Sequence, residues 1–168
     1  NILKFCRFQL VINVAAVVVS AVAPFFGVEE PLKVTHLLFV NLVMDGLGAM
    51  MLGNEPALHK YMKEAPRKRD ESIISKDMAI QIGWSGVWLV ILSFLFLKLP
   101  VISHIFDNEA EHLTAYFVLF IFSALFNGFN VRDDRFGIFK RLNENPDFLK
   151  VFFIIMLVPV SYTHLRAH

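Results

Sequence analysis

Four stretches of this chain, Phe8–Phe26, Val34–Gly53, Met78–Leu97 and Leu113–Val131, are apolar almost throughout. A helix rises about 1.5 Å per residue, so about 20 residues carry it across the roughly 30 Å of bilayer hydrocarbon. Each stretch meets that length. A fifth begins at Phe148 and loses its apolar character near Ser161. Strands do not fit, because the runs are long and lack period-2 alternation. Hydrophobic residues make up 56% of the chain, 18 of them Phe, against about 45–50% in a soluble domain even with glycine counted. The charged residues, 18% of the total, are bunched between the runs. The fold class that follows is all-α, a polytopic membrane helix bundle. The single cysteine, Cys6, excludes a disulfide scaffold. A net charge of +1 gives no electrostatic footprint for nucleic acid, and no such partner is expected.

The connections between runs alternate in charge. Glu29 and Glu30 follow the first run, and Asp107, Glu109 and Glu111 follow the third. Basic residues collect elsewhere: Lys4 and Arg7 at the start, Lys60 to Lys76 in the second connection, and Arg132 to Lys150 in the fourth. Lys and Arg near span ends stay in the cytoplasm. The expectation is therefore a cytoplasmic amino terminus and cytoplasmic loops at 54–77 and 132–147, with the acidic loops on the far side. The first span begins almost at residue 1 with neither methionine nor signal sequence, and the last is cut short by Ser161–His168. These ends are expected of a segment from a longer polypeptide, with residues 1–160 as a membrane domain (last, partial span 148–160). Residues 161–168 read as a non-native tail, the alternative being a genuine polar one.

One acid stands inside a span. Asp45 lies near the middle of Val34–Gly53, where an ionised carboxylate costs about 2.5–3.5 kcal/mol on insertion and so needs a partner, a cavity or an ion. Asn41 is one helical turn earlier on the same face. Gly46 and Gly48 follow, and glycine is about 1 kcal/mol poorer than alanine inside a helix, so the span is expected to unwind over Asp45–Gly48 and turn backbone oxygens inward. Asn13, mid-way along the first span, is either a further ligand or interhelical glue, and Gln9 is expected to belong to that span's cytoplasmic end. Asp45 itself has the alternative of a buried acid serving only packing. Oxygen ligands without Cys or His on that face favour a hard cation such as calcium, magnesium or an alkali ion over zinc or copper. Calcium takes about 6–8 oxygens, more than Asn13, Asn41 and Asp45 supply, so the rest would come from water or from another helix.

The residues around Asp45 carry a resemblance. Val40-Asn41-Leu42-Val43-Met44-Asp45-Gly46-Leu47-Gly48-Ala49 followed by Asn54-Glu55-Pro56 resembles the sixth transmembrane helix and next loop of P-type calcium-transporting ATPases. Lys4–Val14 resembles the fifth helix, the stretch with Met62, Pro66-Arg67, Arg69 and Ile73-Ile74-Ser75 the following cytoplasmic loop, and Phe126-Asn127-Gly128-Phe129-Asn130 with Arg132 the end of the eighth. The likeness covers residues 1–160 in order. It implies that Asn41 and Asp45 ligate the transported calcium, together with a fourth helix not contained here. It also implies that the phosphorylated aspartate and Mg-ATP belong to upstream cytosolic domains of the same polypeptide, so that this chain holds no catalytic residue and is inactive alone. Where two-site pumps of the family carry a Glu, a Thr and an acid, this chain has Ala16, Met44 and Ala124. Those replacements resemble the plasma-membrane-type pumps, which move one calcium per cycle, and weaken any ligand role for Asn13.

The function these features imply is the membrane part of an ATP-driven calcium pump exporting from the cytoplasm, with the ion and the lipid bilayer as partners. The alternatives are a non-catalytic multi-span scaffold, or an ATP-independent carrier or channel, which should show internal repeats. The all-oxygen site leaves manganese open beside calcium. Lys60–Arg69 is read either as contacting the upstream domains or as lying on anionic lipid. His104 and His112, beside the outer acids, are expected to be solvated.

Overall fold

The computed structural model describes residues 2–54, 63, 74–132 and 146–166. Among them all regular structure is helical: α1 (Ile2–Val22), α2 (Val34–Phe39), α3 (Asp45–Gly53), α4 (Lys76–Lys98), the short α5 (Pro100–Ser103), α6 (Glu109–Arg132) and α7 (Pro146–Arg166). Most of the basic loops expected at 54–77 and 132–147 lies outside the described residues, as do Met62, Pro66, Arg67, Arg69 and Ile73 of the resemblance. Among the described residues, four helical segments are long and apolar enough to cross a membrane: Ile2–Phe26, Val34–Gly53, Lys76–Lys98 and Glu109–Val131. They coincide with the four runs and extend three of them by a turn or so at charged or polar ends.

The helix limits follow from local chemistry. α1 passes into a tight 3-10 turn at Ala23–Phe26, set by Pro24, and stops at Gly27, whose left-handed φ of 76° costs little without a Cβ. α4 opens on Ser75, whose hydroxyl accepts from the Met78 N–H at 3.2 Å, with Asp77 in the first turn and Lys98 in the last, as the helix dipole favours. It ends at Leu99, held extended by the following Pro100. α6 is capped by Asn108, whose side-chain oxygen accepts from the Glu111 N–H at 3.0 Å. α7 continues through Ser161 to Arg166, so the polar residues set aside at the sequence level extend the last helix by more than a turn.

The interior is built from one face of each long helix. α1 contributes Phe8, Ile12, Ala15 and Val19, all fully buried and spaced one turn apart. α6 contributes Tyr116, Phe120, Ile121, Ala124 and Leu125, and α7 contributes Phe148, Phe152 and Ile155. Phe129 joins α6 to α7, edge-on to Phe148 at 4.8 Å and to Phe152 at 4.9 Å.

The outside is equally apolar. Ile80, Trp84, Val87, Trp88, Ile91 and Leu95 form a continuous exposed stripe on α4, opposite its buried face of Ile82, Gly86, Leu89 and Leu97. Such a stripe is unstable in water and matched to lipid, as expected of a helix that is hydrophobic all round. Trp88→Arg in the middle of the stripe is expected to lower insertion of α4 by about 2.5–3.5 kcal/mol. Glycosylation mapping of the inserted fraction checks this; unchanged insertion would contradict a lipid-facing stripe.

The two ends of the bundle are tied differently. At one end Arg7 donates to the Gln81 side-chain oxygen and, at 3.0 Å, to the Val131 carbonyl at the close of α6. At the other, Phe26 meets Phe94 at 5.2 Å, and His112 bonds through Nε2 to the Phe96 carbonyl at 3.1 Å. The helices thus run up and down in alternation. The solvated role expected for His112 does not hold: its ring is buried and stacks on Phe106 at 5.3 Å, and it fastens the start of α6 to the end of α4. His104 is exposed.

Candidate cation site

The span that carries Asp45 is continuous but not uniformly α-helical. Between α2 and α3, Val40–Met44 form a π-helical turn, and the Asp45 N–H reaches back to the carbonyls of Asn41 and Leu42. The unwinding expected over Asp45–Gly48 is not found: those residues are regular α3, and the irregularity precedes the acid. Such a π turn inserts a residue and resets the face presented after it, a distortion that recurs at functional sites. Gly46 has open space around it. Gly48 has a packing reason instead.

Phe8 explains that reason and sets the geometry of the site. A Cβ built on Gly48 would lie 2.9 Å from Phe8 Cε1, and one on Gly128 would lie 3.4 Å from Phe8 Cε2. The Phe8 ring is therefore wedged between two glycines, one on α3 and one on α6, and locks α1 against both. The same principle lets membrane helices approach wherever a small residue opens the surface. Gln9 follows Phe8, and Asp45 lies one turn before Gly48. The wedge thus brings the Gln9 amide to the Asp45 carboxylate, and Gln9 Nε2 donates to Asp45 Oδ1. A hydrogen bond to a charged group contributes about 1.5–3 kcal/mol, enough to offset much of the cost of the carboxylate's position.

Asp45 is partly buried at the α1–α3 boundary. Asn41 is exposed on the outer face of the π turn, among Leu38 and Leu42, and so does not turn into the same interface as Asp45. Asn13 is partly buried one turn beyond Gln9 on α1. The structure brings Gln9 and Asp45 together, a pair that the sequence reading missed by assigning Gln9 to the span's end. The available signal was the amide's spacing, one turn before Asn13 within an otherwise apolar helix. Ala16, Met44 and Ala124 are all buried, at 4%, 0% and 1% exposure, and present only apolar surface.

With an acid held in the middle of a membrane span and braced by an amide, the relatives of the chain become informative. Residues 29–167 match the family described as cation transporting ATPase, C-terminus. This chain belongs to that family. A plasma membrane-type calcium-transporting ATPase of Arabidopsis thaliana, number 9 of its series, is 34% identical over the whole chain, which covers 16% of that relative. Number 10 of that series is 35% identical over 95% of the chain, which covers 15% of it. Plasma membrane calcium-transporting ATPase 2 of Oreochromis mossambicus is 32% identical over 91% of the chain, again covering 15% of the relative. The chain spans about one sixth of the length of the curated relatives it matches. It is a multi-pass membrane helix bundle of the cation-transporting ATPase family, corresponding to the family's C-terminal membrane region.

Proposed function

We propose that this chain is the membrane part of an ATP-driven calcium pump, and that Asp45 is its central cation ligand; Asn41, exposed on the outer face of the π turn in this structure, joins it only when that turn rotates inward, and Asn13 is at most peripheral. The observation that carries this reading is the Asp45 carboxylate, held within a membrane span by a hydrogen bond from the neutral Gln9 amide. A bound calcium ion supplies the charge such an acid needs, and oxygen donors are what calcium takes. The names of the relatives support calcium as the ion.

Mg-ATP binding and transfer of phosphate to an aspartate belong to further cytosolic domains of the polypeptide. Their motion would tilt these helices and convert an inward-facing tight site into an outward-facing weak one. What this bundle does in that cycle is hold the cation, exclude water around it and transmit the helix movement. Arg7 joining α1, α4 and α6 at one end supports a cytoplasmic side comprising the amino terminus and loops 54–77 and 132–147, since all three helix ends meet there beside basic residues. The buried, oxygen-free side chains of Ala16, Met44 and Ala124 support one calcium per cycle.

Stoichiometry tests the reading. In the complete pump polypeptide, bound radioactive calcium should equal the amount of phosphorylated intermediate, one ion to one. Two ions per phosphorylated molecule would contradict the single site, and phosphorylation indifferent to calcium would contradict the pump.

A further inference from the structure

Gln9 does more in this arrangement than brace a carboxylate. Its Nε2 donates to Asp45 Oδ1, while its Oε1 is buried without a hydrogen-bond partner. A buried carbonyl oxygen with nothing to accept costs about 1–3 kcal/mol. This one sits one amide width from the acid on which the proposed site is centred, and the Phe8 wedge between Gly48 and Gly128 fixes the backbone that carries it. The two ends of a carboxamide exchange places by rotation about its last torsion. In one orientation the N–H donates to the carboxylate; in the other the oxygen faces the same point in space as the carboxylate does. Two oxygens converging there, one charged and one neutral, are a pair suited to a divalent hard cation.

We propose that Gln9 is a ligand of the transported cation, an amide that alternates between donating to Asp45 and offering Oε1 to the ion bound by Asp45. The inference rests on the reading of Asp45 as a calcium ligand and adds a residue from α1 to it. It gives the neighbouring helix a direct grip on the ion, so that a shift of α1 against α3 changes the number of oxygens the ion meets. It also satisfies the orphaned oxygen, which no residue of the described interior does.

The test compares Gln9→Met, Gln9→Glu and Asp45→Asn in the complete pump polypeptide, reading the calcium concentration for half-maximal phosphorylation from ATP, with calcium-independent nucleotide binding as the measure of folding. Gln9→Met keeps the length and removes both polar atoms; it should raise the half-maximal calcium concentration about 10–100-fold with nucleotide binding unchanged. Gln9→Glu keeps an oxygen at the same place, so it should retain calcium-dependent phosphorylation. A Gln9 that only fills space would instead tolerate Met as well as it tolerates Glu. If Gln9→Met leaves the half-maximal concentration within about twofold while Asp45→Asn abolishes the response, Gln9 is only a packing residue and the inference falls while the Asp45 site stands. If Asp45→Asn also leaves the response unchanged, the site itself falls and this inference with it.

Discussion

On the proposed function, Asp45→Asn in the complete polypeptide is expected to abolish calcium-dependent phosphorylation from ATP at calcium concentrations that saturate the parent protein. The substitution keeps size and one oxygen but removes the charge. In a site from which water is partly excluded, the attraction between a carboxylate and a divalent cation is much larger than in bulk water, so the loss far exceeds that of a surface charge. Folding should survive, because the neutral amide no longer carries the about 2.5–3.5 kcal/mol penalty of an ionised group within a span. The measurement is phosphorylation against calcium concentration with protein amount and nucleotide binding held constant. A scaffold role for this bundle requires the opposite outcome, an unchanged calcium response.

The second large effect concerns packing. Gly48→Ala should destabilise the bundle by about 1–3 kcal/mol, because the new methyl group meets a ring with nowhere to retreat. Its Cβ would stand 2.9 Å from Phe8 Cε1, and the opposite edge of that ring already faces Gly128. Phe8 is fully buried, so the strain must pass into the separation of α1 and α3, and Gln9 is carried away from Asp45 with it. Gly46→Ala is the matching control. It sits in open space two residues away and removes a helix-weakening glycine, worth about 1 kcal/mol in the stabilising direction. Thermal unfolding in detergent should therefore separate the two variants in opposite directions, and the same midpoint for both would contradict the wedge. Gly128→Ala should fall between, since its nearest clash, at 2.8 Å, is with the flexible end of Met51.

The spans and the central acid were legible in the chain because both rest on one-dimensional facts. Bilayer thickness fixes the length of an apolar run, and a lone Asp45 among apolar neighbours is visible without any fold. What depends on how helices meet was not legible. Gln9 reads as an end residue until Phe8 is seen between two glycines that are 80 positions apart in sequence. Gly46 and Gly48 look equivalent as helix breakers, yet one stands in open space and the other admits an aromatic ring. The distortion near Asp45 was expected at the glycines and occurs in the preceding turn, Val40–Met44, where no residue type announces it. His112 has acids beside it in sequence, but Phe106 and the Phe96 carbonyl enclose it in space. In each case the missing information is the pairing of helix faces, which one sequence does not contain.

The most direct test of the account is a density map of the complete pump polypeptide determined in saturating calcium. The account predicts a single strong peak in the membrane within about 2.3–2.6 Å of an Asp45 carboxylate oxygen. A calcium peak held by other residues, with Asp45 still bonded only to Gln9, would contradict it.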